Sequence, residues 1–233
     1  GLQGLFLIRD AEEDALNLPT GPCELPLLLC DRYLRKDGQL EYPISQIPGK
    51  PWVPEVFGNL VMVNGKIMPY HEVEPRPYRL RILNGSNGRF YRLSFSATPN
   101  ANQPSSPAND SSSPHDHPAN ESSFRPEAAH LPPERRNPLL YPDSSPTSLP
   151  FHMIGSDQGL LTSPVPLERI ELSPGERADL IVDFSLCDGQ NVELTSDLLR
   201  VMQFRVSAKT AKTAKTSLPA SKLPATLSPI DRI

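Results

Sequence analysis

Cysteine, basic surplus and long apolar runs are all scarce in this chain, and each scarcity removes a class of function. Cys23, Cys30 and Cys187 include no Cys-x-x-Cys pair, and an odd count defines no complete disulfide framework. A formal charge of -4, with Arg and Glu mixed along the apolar segments, leaves no basic stripe, so nucleic acid is not expected as a partner. No apolar run approaches the roughly 18 residues that would suggest a membrane span, and the first residues lack the charged and apolar regions of a signal peptide. Both ends read as cuts through a longer polypeptide, the first residue being Gly1 rather than Met, so no compartment is assigned.

Proline is abundant instead. Of 28 prolines, 11 fall between Thr98 and Leu149, among many Ser and Asn residues and few apolar ones. Such a stretch buries too little surface to offset the entropy of ordering its backbone, so residues 98–149 are expected to be a disordered insertion. It separates a strand ending near Ser96 from one beginning near Phe151, and long surface loops add little closure entropy. A second biased stretch, Ala208 to Thr216, repeats Ala-Lys-Thr three times and reads as a solvated linker.

Elsewhere the pattern is that of short strands and tight turns. Val61-Met62-Val63, the turn pair Asn64-Gly65 and a return strand from Lys66 to Pro69 predict a β-hairpin. Tyr78 to Leu83 alternates apolar and cationic side chains, which predicts one buried and one solvated face. A turn at 155–159 is expected to join a strand ending at Ile154 to one starting at Leu160. Pro174-Gly175-Glu176 is expected to link a strand over 166–172 to a core strand over 178–184.

Few residues suggest chemistry. His115-Asp116-His117, with His130 downstream, has ligand spacing, but it lies in the Pro/Ser-rich segment without a scaffold to converge the rings, and an incidental solvated pair is favoured. His71 and His152 read as packed or hydrogen-bonded side chains. Asp31-Arg32 reads as an ion pair or strand-end group, Cys30 as a small core residue, and Cys23 as a bridge or surface thiol. Gly155-Ser156-Asp157-Gln158-Gly159 places Ser wrongly for a hydrolase elbow. Asn84, Asn109 and Asn120 fit the short glycosylation pattern.

Many short segments, taken in order, resemble one family. They are 1–10 (GLQGLFLIRD), Leu18-Pro19 through Asp31-Arg32 and Asp37 to Pro43, 52–59 (WVPEVFGN), 61–87, 151–161 (FHMIGSDQGLL), 172–179 (LSPGERAD) and 201–206 (VMQFRV). Together they resemble the middle domain of multicopper oxidases of the bilirubin oxidase and spore coat protein A type. Asn59 stands where an Asp is often found. The resemblance implies an all-β, cupredoxin-like Greek-key sandwich or barrel of roughly eight to ten strands, built from 1–97 and 150–206 around the 98–149 insertion. Residues 207–233 would then be a linker and the start of a third domain.

The resemblance further implies an intact protein that oxidises phenolic, bilirubin-like or metal-ion substrates by one-electron steps and reduces O2 to water. Its copper would be held by flanking cupredoxin domains, since no His here lies in a family copper motif and no Cys is flanked by His; a blue copper centre needs two His and a Cys thiolate together. No catalytic or metal residue is therefore carried over. A substrate-side loop of Trp52, Phe57, Gly58 and Asn59 is implied; Trp52 and Phe57 covering the barrel's end is the competing reading. A non-catalytic structural or binding module derived from such an oxidase remains the alternative function, because fold analogy carries the functional reading.

Overall fold

Alternating apolar side chains oblige most of this chain to form strands with one face turned inward, and two sheets satisfy that demand. The computed structural model describes residues 3–99 and 147–207, which form one compact unit. Among them are thirteen strands, the five-residue helix α1 (Ala11–Ala15) and one 3-10 turn (Gly21–Cys23). The strands are β1 (Glu24–Arg32), β2 (Leu60–Val63), β3 (Lys66–Ile67), β4 (Tyr70–Val73), β5 (Pro77–Asn84), β6 (Tyr91–Pro99), β7 (Thr147–Leu149), β8 (Phe151–Ser156), β9 (Gly159–Leu167), β10 (Ile170–Leu172), β11 (Arg177–Asp183), β12 (Gln190–Ser196) and β13 (Leu199–Val206). One sheet runs β3-β2-β1-β5-β11-β8-β9; the other runs β10-β6-β12-β13-β4, with β7 also paired to β6. Pairing is antiparallel except for β1 with β5 and β4 with β13.

The core lies between the sheets. Leu27, Leu29, Leu80, Ile82, Phe151, Leu180 and Val182 of the first sheet meet Leu93, Phe95, Val192, Leu194, Val201 and Phe204 of the second. Phe95 spans the gap, edge-on to Phe151 with centroids 5.3 Å apart and tilted against Phe204 at 6.2 Å. Fully burying one such side chain contributes about 1.5–3 kcal/mol, so this aromatic seam is a principal source of stability.

Several sequence-based expectations need correction, mostly because strands cross between sheets. The Asn64-Gly65 turn forms, with φ of 49° and 79°, and Asn64 ties it to β1 by accepting from Leu28 N–H (2.8 Å) and donating to the Pro26 carbonyl (2.9 Å). The return strand, however, ends at Ile67; Met68 takes a φ of 41°, and 70–73 pairs in the other sheet with β13. Likewise 166–172 is not one strand, because Leu167 ends β9 in the first sheet and Ile170 begins β10 in the second. These crossings raise the strand number above ten. The expected 155–159 turn is tighter than predicted, with β8 running two residues further, to Ser156, and β9 starting one residue earlier, at Gly159.

The cysteines and histidines also differ from expectation. Cys23 sits in the main core rather than at the surface, since the 3-10 turn tucks its side chain under β5. Cys30 is buried as expected, yet on the outer face of β1, where it lines an open hollow of about 470 Å³ with Gln3, Leu28, Leu40 and Met62. All three thiols are free. His71 and His152 are exposed rather than packed. Asn84 is completely buried, donating to the Arg89 and Leu172 carbonyls, so its glycosylation pattern is incidental.

Thr98 and Pro99 still belong to β6, and 147–149 pairs back on it as β7, so strand structure enters both edges of the expected insertion. The rest of that insertion, with His115, His117, His130, Asn109 and Asn120, lies outside the described residues, as does 208–233.

Candidate functional site: the 52–59 loop and the polar end of the first sheet

The strand β1 ends in two polar residues because its last turn of pleat leaves the sandwich core and meets the loop that returns to β2. Asp31 is buried there, with its side chain only 1% exposed. Its Oδ2 accepts from Gly58 N–H (2.6 Å) and from Arg89 Nε (2.9 Å), while Oδ1 has no hydrogen-bond partner. The ion-pair partner of Asp31 is thus Arg89, not the adjacent Arg32, whose guanidinium donates to the Asp31 carbonyl (2.8 Å). Arg89 also donates from Nη2 to the Gly58 carbonyl (2.8 Å) and lies 6.0 Å from the Phe57 ring centroid.

Behind this pair, Asp31 N–H donates to Ser86 Oγ (3.0 Å), which shares a 3.0 Å hydrogen bond with Tyr91 Oη. Burial pushes the Tyr91 phenol up to about 12, against a downward pull from the Ser86 hydrogen bond. The phenol therefore stays neutral at physiological pH and serves as a hydrogen-bonding group.

Each residue of the implied substrate-side loop can now be placed. Trp52 and Phe57 are 59% and 52% exposed. Gly58 is buried, and a Cβ there would fall 2.3 Å from the Arg32 backbone nitrogen, so only glycine fits. Asn59 is held by the Leu34 backbone: its side chain accepts from Leu34 N–H (3.0 Å) and donates to the Leu34 carbonyl (2.9 Å), standing in for a strand partner. Val56 N–H donates to Asn87 Oδ1 (2.9 Å), which joins the loop to the turn after β5.

A second polar cluster, on the outer face of the first sheet, was not legible in the sequence. Arg79 is 0% exposed, although its alternation with Leu80 and Ile82 predicted a solvated face. It forks onto Asp179 through Nε–Oδ1 (2.9 Å) and Nη2–Oδ2 (2.5 Å), and donates from Nη1 to Glu13 (2.7 Å). Arg81 approaches Glu13 at 3.5 Å and Glu24 at 3.3 Å, and Arg9 closes the cluster by pairing with Glu24. The reason is tertiary: residues 5–8 and the acidic helix α1 lie over β5 and β11, lining with them a cavity of about 270 Å³. Burial pushes the Asp179 carboxyl up, and the Arg79 guanidinium pulls it back down.

Among the described residues no three His, Cys, Asp or Glu side chains converge in a way that could hold a metal ion. The described residues therefore do not fit copper, and no step of copper chemistry can be drawn through them. Ser156 ends β8 and Asp157 is a turn residue, pairing with Arg177 at 3.0 Å.

Two mixed sheets closed over one aromatic core make this a cupredoxin-like β-sandwich. No family model matches the chain. It is 30% identical over 236 residues to the laccase of Bacillus subtilis strain 168, covering 94% of this chain and 36% of that protein. It is 28% identical over 196 residues to the bilirubin oxidase of Albifimbria verrucaria, covering 83% of this chain and 26% of that one. The crystal structure of the McoA multicopper oxidase from the hyperthermophile Aquifex aeolicus superposes with a TM-score of 0.61 at 26% identity, covering 97% of this chain and 40% of that one. The chain belongs to the multicopper oxidase family, and it spans a segment of about 36% of the length of the Bacillus subtilis relative.

Proposed function

We propose that this segment is the middle, copper-free domain of a multicopper oxidase, built from 1–97 and 150–206, which holds two copper-bearing neighbours at a fixed separation. The intact protein then couples one-electron oxidation of a phenolic, bilirubin-like or metal-ion substrate to the reduction of O2 to water, with copper bound by the flanking domains. The supporting observation is that a laccase aligns with 94% of the chain while the chain accounts for only 36% of that laccase. An organising role suits the fold, because the polar groups at the end of the first sheet, Asp31, Arg89 and Ser86, are hydrogen-bonded to backbone. The 52–59 loop, with Trp52 and Phe57 at the surface, is assigned to the substrate side of the assembly.

The test compares the 233-residue chain with the full-length polypeptide that carries it, each grown with copper. Copper retained and O2 consumed with a phenol by the full-length protein, and neither by the chain alone, is the expected result. Stoichiometric copper on the isolated chain would overturn the copper-free assignment. A full-length protein that holds copper nowhere would leave this segment a structural or binding module.

A further inference from the structure

The peptide group of Gly58 is gripped from both sides. Its N–H donates to Asp31 and its carbonyl accepts from Arg89, while Arg89 and Asp31 are themselves paired at 2.9 Å. The three groups form a closed ring of charge-assisted hydrogen bonds, which are shorter and stronger than neutral ones. Lifting Gly58 out of it would leave the buried Asp31 carboxylate with Arg89 as its one donor, since Oδ1 already has no partner. A buried charge stripped of its hydrogen bonds is strongly disfavoured, so the ring resists opening.

The restraint acts on one end of the loop. Phe57 stacks by Arg89, Val56 is bonded to Asn87, and the Cβ position of Gly88 lies 3.3 Å from Glu55. Hydrogen bonds in 45–51 are local by contrast, Ser45 N–H to the Pro51 carbonyl (3.0 Å) and Lys50 N–H to the Ile47 carbonyl (3.0 Å). Trp52 stands at the junction between the anchored and the locally held halves. We infer that Asp31 and Arg89 are positioning residues, which clasp Gly58 and thereby set where Trp52 and Phe57 stand on the substrate side. Their role in substrate binding rests on the proposed oxidase function; the clasp itself does not.

Trp52 is the single tryptophan of the chain, so its fluorescence reads this loop without labelling. In the 233-residue chain, Asp31→Asn and Arg89→Lys should lower Trp52 anisotropy and speed chymotryptic cleavage at Trp52 and Phe57 by about tenfold, at temperatures well below melting, because local opening governs cleavage. Gly58→Ala, which forces a Cβ against Arg32 while leaving the Asp31–Arg89 pair intact, should do the same. Unchanged anisotropy and cleavage in all three variants would overturn the clasp, even if their melting temperatures fall. In the full-length oxidase the same variants should raise KM for a bulky phenol about threefold or more while kcat stays within about twofold, the signature of lost ground-state binding. A loosened loop with unchanged KM would overturn the substrate-side role. A wild-type protein inactive on phenols, bilirubin and oxidisable metal ions alike would refute the oxidase function instead, and the clasp would still be decided by Trp52.

Discussion

Replacing Arg79 by methionine tests whether the network on the outer face of the first sheet is as tightly coupled as its geometry implies. Arg79 is fully buried and holds Asp179, itself 8% exposed, with two parallel hydrogen bonds, and Glu13 with a third. Methionine fills much of the same volume, so the main loss is the pairing. Removing one partner of a buried pair strands the other charge and costs about 3–5 kcal/mol, a large part of the ~5–15 kcal/mol that stabilises a typical domain.

The pH dependence has a definite sign. Burial already pushes the Asp179 carboxyl above the usual range, and Arg79 is the largest opposing influence, so its loss raises that pKa further. A carboxyl whose folded pKa lies above its unfolded value contributes stability below the unfolded pKa, which is lost as pH rises through the folded one. The Arg79→Met deficit should therefore be greatest near neutrality and shrink toward about pH 5, by about 1.4 kcal/mol for each unit of added shift that has been titrated. Urea unfolding followed by far-UV circular dichroism at both pH values measures it. Adding Asp179→Leu to Arg79→Met should recover part of the loss at neutral pH. A deficit below about 1 kcal/mol, or one that grows on acidification, would refute the reasoning.

Three further outcomes follow from single contacts. Asn64→Ala removes two hydrogen bonds that tie the hairpin turn to β1 and places alanine at a φ of 49°, so it should lower the unfolding free energy by about 1–3 kcal/mol with little change in m-value. Cys23, Cys30 and Cys187 are buried, and burial pushes the Cys30 and Cys187 thiols up, so a thiol reagent should react with none of them in the native state and with all three in denaturant; rapid native labelling would contradict the packing. Burial holds the Tyr91 phenol at about 12, above its unfolded value, so its contribution is complete below about pH 10 and is lost as pH rises through 12. Tyr91→Phe should then flatten the fall of the urea midpoint in that window.

Local chemistry was legible wherever a short stretch decides its own conformation. Asn64-Gly65 makes the expected turn because both residues tolerate positive φ. Leu180 and Phe184 occupy the core, as expected of the apolar strand over 178–184. Asp31-Arg32 was recognised as an ion-pairing position, but the partner, Arg89, lies 58 residues away and could not be chosen from the sequence. Nothing around Gly58 revealed why glycine stands there; the reason is the Arg32 backbone beside it.

The order of apolar and turn residues by itself determined short strands joined by tight turns, and the resemblance of its segments to the multicopper oxidases implied the β-sandwich they build. Tertiary structure alone decided which sheet each short strand joins, as at 70–73 and 170–172, because a three- or four-residue strand is placed by its pairing partner and not by its own propensity. It also decided the fate of the polar residues. Periodicity tells which side chains share a face of a strand, but what covers that face comes from distant segments, so Arg79 became buried and Arg81 partly covered when 5–8 and α1 were laid across them, while Trp52 and Phe57 remained at the surface beside a glycine locked from both sides.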